Sequence, residues 1–85
     1  MTRKDYEHIA GMLKEVRPEE FFYTDDADIA YVGGWKRACE AIALSMCINN
    51  PKFIPGKFLL SCGYTQDEVT QGVQRVLEEK ARRGL

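Results

Sequence analysis

Histidine is almost missing from this chain, which holds one, His8, and cysteine is sparse, with three at Cys39, Cys47 and Cys62. Neither type falls at metal-ligand spacing: there is no C-x-x-C pair and no second histidine, so a zinc site of the usual patterns is not expected. If Cys39 and Cys47 share a helix, its rise sets their Cα atoms about 12 Å apart. That exceeds the roughly 7 Å a disulfide spans. Cys62 reaches either one only through the tertiary fold, and the expectation for all three is a buried free thiol acting as a small hydrophobe. An excess of charge is missing too. Twelve basic residues against thirteen acidic ones leave a net charge of −1, so no global field draws the protein toward nucleic acid or an anionic membrane. Long apolar runs are absent as well: the longest uncharged stretch, Ala41 to Pro51, falls well short of the roughly 20 residues of a bilayer span, and no membrane partner is expected. The opening Met1-Thr2-Arg3-Lys4-Asp5-Tyr6-Glu7 turns charged at once and is not a secretory signal, which makes the cytoplasm the expected compartment.

What the chain does contain is helical punctuation. Within 85 residues, 45% hydrophobic and 29% charged, a single globular domain is expected over residues 1–85. Thr2 and Asp5 form a variant capping box, and Tyr6, Ile9, Ala10, Met12, Leu13 and Val16 follow at helical spacing until Pro18 disfavours continuation, which predicts a helix over about 3–16. Thr24 or Asp25 can cap a second helix over about 25–49, with Asp25, Asp26 and Asp28 at the positive end of its dipole. Its run Ala41 to Ile48 is apolar nearly all round, which predicts a central helix surrounded by protein. Gly33-Gly34 interrupts this helix, as a kink or a close backbone approach; a hairpin turn is the competing reading.

Asn49-Asn50-Pro51 ends the second helix. Pro55 suits a first helical turn and Gly63 the position past the last, so 55–62 is predicted as a short core helix in which Phe58, Leu59 and Cys62 face one neighbour and Leu60 a second. Thr65 to Glu68 is a full capping box, with Tyr64 placed to staple onto Val69. The stripe Val69, Val73, Val76 and Leu77, with Glu78–Arg82 and Glu79–Arg83 pairs, predicts a fourth helix over about 66–82. The fold class expected is a compact all-α, four-helix domain.

Catalytic patterns are not found. The lone His8 is far in sequence from every cysteine, no glycine-rich phosphate loop is present, and Asp25-Asp26-Ala27-Asp28 lacks the glycine and distal glutamate of a calcium loop. No enzyme activity and no cofactor are expected. Local charge is more informative. Between Pro18 and Trp35 the acidic residues Glu19, Glu20, Asp25, Asp26 and Asp28 occur with no basic residue, interleaved with Phe21, Phe22, Tyr23, Tyr31 and Trp35. Aromatic anchors within a charged surround are what a protein-binding surface uses, the rings giving affinity and the carboxylates steering a basic partner. We take Glu19, Glu20, Phe21, Phe22, Tyr23, Asp25, Asp26 and Asp28 as the candidate partner-binding residues; the alternative is that these rings roof the core. The same rings suit self-association into a homo-oligomer. Nucleic acid is the second-ranked partner: residues 36–57 hold Lys36, Arg37, Lys52 and Lys57 against Glu40 alone, but Phe58-Leu59-Leu60 is no base-reading helix.

Two stretches, "TRKDYEHIA" and "NNPKFIPGKFLLSCGY", together resemble a group of short proteins encoded by bacteriophages and other bacterial mobile elements, in which an opening of the first kind is joined to an NP-basic-F…FL--CG segment through a helical middle. Ile54-Pro55 departs from that pattern, where an acidic helix cap would stand. The resemblance implies a phage or prophage origin and an intracellular setting in a bacterial host, and brings no active-site residues. Small phage domains of this sort often bind and block a host protein, CRISPR effectors and other defence machinery included. The expected function is therefore a non-catalytic partner-binding protein, an inhibitor of a host defence complex; the alternative is a small DNA-binding or transcription-regulatory accessory protein.

Overall fold

A computed structural model describes residues 3–18 and 26–84, the side chains of 26–32 excepted. Four helices follow one another: α1 (Arg3–Glu15), α2 (Asp26–Asn49), α3 (Pro55–Ser61) and α4 (Gln66–Arg82). No strand occurs among the described residues, and the protein is an all-α, four-helix fold. No helix among them is long and apolar enough to cross a membrane.

α3 is the element that joins the others. It has seven residues, too few to persist in water, yet it packs on α1, α2 and α4 alike. Pro55 occupies its first turn, and Phe58 and Leu59 are buried in its middle. A Schellman turn ends it: the amide of Tyr64 donates to the Leu59 carbonyl and that of Gly63 to Leu60, with Gly63 at φ 103°. Any side chain at Gly63 would be strained, and its Cβ would also stand 3.3 Å from Lys14 Cγ on α1. Thr65 immediately opens α4 through the predicted capping box, both halves of which form. Two helix ends and one turn thus occupy four consecutive residues, which fixes α3 against α4 locally.

The core is one cluster built around Cys39, Ala43, Met46 and Cys47 of α2, Phe58, Leu59 and Cys62 at α3, Tyr64, and Val76 of α4. All three thiols are free and buried, as expected. Burial raises the pKa of Cys47, and the Cys62 thiol is pushed up by its hydrogen bond with Cys39 and by burial. α1 contributes only Ala10 as a fully buried residue, with Tyr6, Ile9 and Leu13 half-buried. Trp35 carries its contact to α2: the indole N–H donates to the Leu13 carbonyl at 2.9 Å, satisfying an end carbonyl of α1 that lost its helical partner.

Several expectations need correction. Residues 33–34 are helical, so the hairpin reading falls, and a Cβ at either glycine would meet nothing within 4 Å, so no described backbone approaches them. Met12 and Val16, assigned to the buried stripe of α1, are 56% and 62% exposed. Ala38, Ala41, Ser45 and Ile48 form an exposed strip along α2, so that helix is not enclosed on all sides. Tyr64 turns toward α2 rather than serving α4 alone: its ring lies 5.4 Å from that of Trp35, and its hydroxyl donates to Glu40 at 2.7 Å. Arg82 pairs with Glu79, as Arg83 also does, while Glu78 accepts from Gln74 instead. Leu77 and Leu60 are about half exposed.

A buried glycine sits where the helical stripe of α4 crosses α3. A Cβ at Gly72 would lie 2.9 Å from Leu59 Cδ1 and 3.0 Å from Tyr64 Cε2, both on fully packed side chains. Gly72→Ala is expected to lower stability by up to about 2 kcal/mol, because an overpacking cost of about 1 to 3 kcal/mol is only partly offset by the gain of about 1 kcal/mol in helix propensity. Gly33→Ala, in open space, is expected to raise stability by about 0.5 to 1 kcal/mol. Urea midpoints of the two variants check the opposite signs.

Candidate functional site

Of the residues singled out for partner binding, the structure describes only two. Glu19, Glu20, Phe21, Phe22, Tyr23 and Asp25 lie outside the described residues, and Asp26 and Asp28 are placed only as backbone in the first turn of α2. Trp35, the last of the rings interleaved with those carboxylates, is a core residue at 7% exposure, as the alternative reading has it. The Arg17 guanidinium covers its face, 4.9 Å from the ring centroid.

Most of the interior charge is committed to holding helices together. Arg17, at the end of α1, donates to both oxygens of Glu68 at 3.0 Å and to the Gly63 carbonyl. Lys36 of α2 meets the same carboxylate at 2.7 Å, and the Thr65 amide donates to it at 2.9 Å. One glutamate therefore ties three helices to the turn that ends α3. Burial alone would raise the pKa of Glu68, but Lys36, the Thr65 amide and Arg17 outweigh it and hold the carboxyl at about 2. A second cluster repeats this logic one turn away. Arg75 of α4 forks onto both oxygens of Glu40, at 2.6 and 2.9 Å, and Tyr64 adds its hydroxyl. Burial, then the bond to Glu40, pushes the Tyr64 hydroxyl upward. These carboxylates accept from fixed donors on every side and read as braces.

The chemistry available to a ligand is elsewhere, in a groove of about 520 Å³ between the start of α1, the 50–54 connection and α3. Three rings floor it in sequence: Tyr6 meets Phe53 edge-on at 5.1 Å, and Phe53 meets Phe58 at 5.8 Å. Ile54 and Leu60, 53% and 47% exposed, form its apolar walls. Asn50 anchors the connection, its side-chain oxygen accepting from the Lys52 amide while its side-chain amide donates to the Tyr6 hydroxyl. Around the mouth stand Arg3, Lys52 and Lys57, with Glu7 the one acidic side chain lining it among the described residues. Glu7 is paired to Arg3 at 3.1 Å, whereas the ammonium groups of Lys52 and Lys57 meet no carboxylate among the described residues. An apolar floor of this volume with a few cations at its edge suits a ligand that brings large apolar groups and negative charge together.

Lys52 and Lys57 appeared in the sequence as members of a basic stretch, and Phe53 and Ile54 only within the stretch that carries the resemblance. The available signal was α3 itself: Leu60 is apolar on a helix whose buried face was already filled by Phe58, Leu59 and Cys62. No group of histidine, cysteine, aspartate and glutamate residues suited to a metal ion occurs among the described residues. Comparisons with known proteins identify no relative: no family model, no curated protein and no solved structure matches the chain.

The depressed pKa of Glu68 sets a pH dependence. Its folded-state value lies below the ordinary carboxylate value of 4.5, so its contribution is complete above that pH and is lost as pH falls toward about 2. Unfolding midpoints are expected to drop between pH 5 and 2. Glu68→Gln is expected to cost about 2 kcal/mol at pH 7, typical of hydrogen bonds to a charged group, and to flatten that drop. An unchanged acid limb in the variant would refute the assignment.

Proposed function

We propose that the protein works without catalysis of its own, as a phage-encoded domain that binds a host protein or protein complex and blocks it, with bacterial defence machinery such as a CRISPR effector as the target class. One observation carries the binding reading: the apolar groove floored by Tyr6, Phe53 and Phe58 is rimmed by Lys52 and Lys57, which no described carboxylate neutralises. The phage and host-defence parts rest on the resemblance of the two sequence stretches. The groove favours an acidic segment with large apolar side chains, anchored by its rings and steered by Lys52, Lys57 and Arg3. The stretch Glu19–Asp28, of opposite charge, is proposed as a second contact region. A surface of each sign allows one small domain to bridge or cover a composite target.

A second reading, a DNA-binding accessory protein, draws on the same groove, since half-buried rings such as Tyr6 and Phe53 beside cations also stack single-stranded bases.

The two readings separate in one titration series. A designed amphipathic peptide with Phe and Leu anchors flanked by glutamates is expected to bind at micromolar concentrations, and its lysine-flanked counterpart at least about tenfold more weakly. Charge reversal by Lys52→Glu with Lys57→Glu is expected to weaken the acidic peptide about tenfold or more, from about 1 kcal/mol per rim pair, with the unfolding midpoint unchanged. Equal binding of both peptides, or of neither, would remove the groove reading. Tight binding of a labelled single-stranded oligonucleotide with a steep salt slope would favour the DNA reading instead.

A further inference from the structure

The walls of the groove decide the form of what fills it. Ile54, at the cap of α3, and Lys57 and Leu60 within it stand three residues apart and are all exposed, a ridge along the outer face of that helix. Side chains in such a row are what a second helix interdigitates with, ridge into groove. An extended peptide finds less here. Strand addition gains its affinity by pairing backbone to backbone at a sheet edge, and no strand occurs among the described residues. Laid on the rings of the floor, the amides and carbonyls of an extended peptide would lose water without gaining partners, whereas a helix satisfies its own. The Asn50 side chain at that floor already donates to the Tyr6 hydroxyl and accepts from the Lys52 amide.

Charge sets the direction. Tyr6 of α1 meets Phe53 just before α3, and Lys14 and Arg17 stand beside Gly63 just after it, so α1 and α3 run side by side in the same sense. Lys52 and Lys57, and Arg3 with its partner Glu7, belong to the half of the groove where both helices begin, while Leu60 and Ser61 line the other half without charge. The groove therefore grades from cationic to neutral along its length. A helix carries partial negative charge at its C-terminus. We propose that the groove receives an acidic amphipathic helix of a partner protein, antiparallel to α1 and α3, with the carboxylates of its C-terminal turns at Lys52 and Lys57 and its large apolar side chains on the rings and between Ile54 and Leu60. This rests on the groove reading above and gives the occupant a form and a direction. The seven residues of α3 span about 10 Å, which is the rise from i to i+7 on the incoming helix, so about two turns make the contact.

Three synthetic peptides test this, each titrated against the full chain by fluorescence anisotropy, with far-ultraviolet circular dichroism of the mixtures. The first carries phenylalanine and leucine at i, i+4 and i+7 and glutamates in its last two turns. In the second, two central alanines of the first are replaced by proline; in the third, the glutamates are moved to the first two turns. The first peptide is expected to bind at micromolar concentrations and to gain helix on mixing. The second is expected to bind at least about tenfold more weakly, because proline breaks the helix. The third is expected to bind about threefold more weakly or worse, although glutamates in a first turn make it the better helix on its own. Leu60→Asp, at a half-exposed side chain, is expected to weaken the first peptide at least about tenfold with the unfolding midpoint unchanged. Equal binding of the proline peptide, no gain of helix, or equal or tighter binding of the third peptide would overturn the proposal and leave the groove reading in place. Failure of all three to bind would remove the groove reading with it.

Discussion

The burial of α3 is the constraint on which the fold depends. A seven-residue helix has no stability of its own, and here it is held by packing on all three other helices at once. Leu59 and Cys62 are fully enclosed, and Gly72 gives α4 the clearance to lie across them. In a chain of this size the core is small, so removing one large side chain from that crossing removes a sizeable share of what keeps the molecule folded.

Charge completes what packing begins. Glu68 is at once the third residue of the α4 capping box, the anion under Arg17 and the partner of Lys36. Its position makes the exit of α1, the middle of α2 and the start of α4 depend on one carboxylate. Glu40, Arg75 and Tyr64 add a parallel link between α2 and α4. Both clusters are mostly shielded on the carboxylate side, so screening by salt weakens them less than the exposed pairs of α4 such as Glu79 with Arg83.

The same bracing leaves the far side of α3 open. With Phe58 and Leu59 turned inward, Leu60 projects outward beside Ile54, and the rings of Tyr6 and Phe53 close the floor between α1 and the 50–54 connection. The groove is thus a consequence of wedging a short helix against α1: the two cannot meet along their whole lengths, and the gap is lined by what each leaves over.

Local chemistry was enough to place the elements. Pro55 and Gly63 bounded α3, Thr65 and Glu68 opened α4, and Asn49-Asn50-Pro51 ended α2, because caps and breakers act within a few residues and do not need the rest of the chain. Burial of the three thiols followed from their lack of any ligand pattern. Which apolar residues are covered was not legible in the same way: Met12, Val16 and Leu60 fit helical stripes and stand exposed, while Trp35 and Tyr64 became the contact between α1, α2 and the α3–α4 turn. Periodicity tells which face of a helix is apolar, but only the crossing of one helix over another decides how much of that face is met. The groove and the Glu68 cluster arise from residues far apart in sequence, and their meeting is a property of the assembled helices alone.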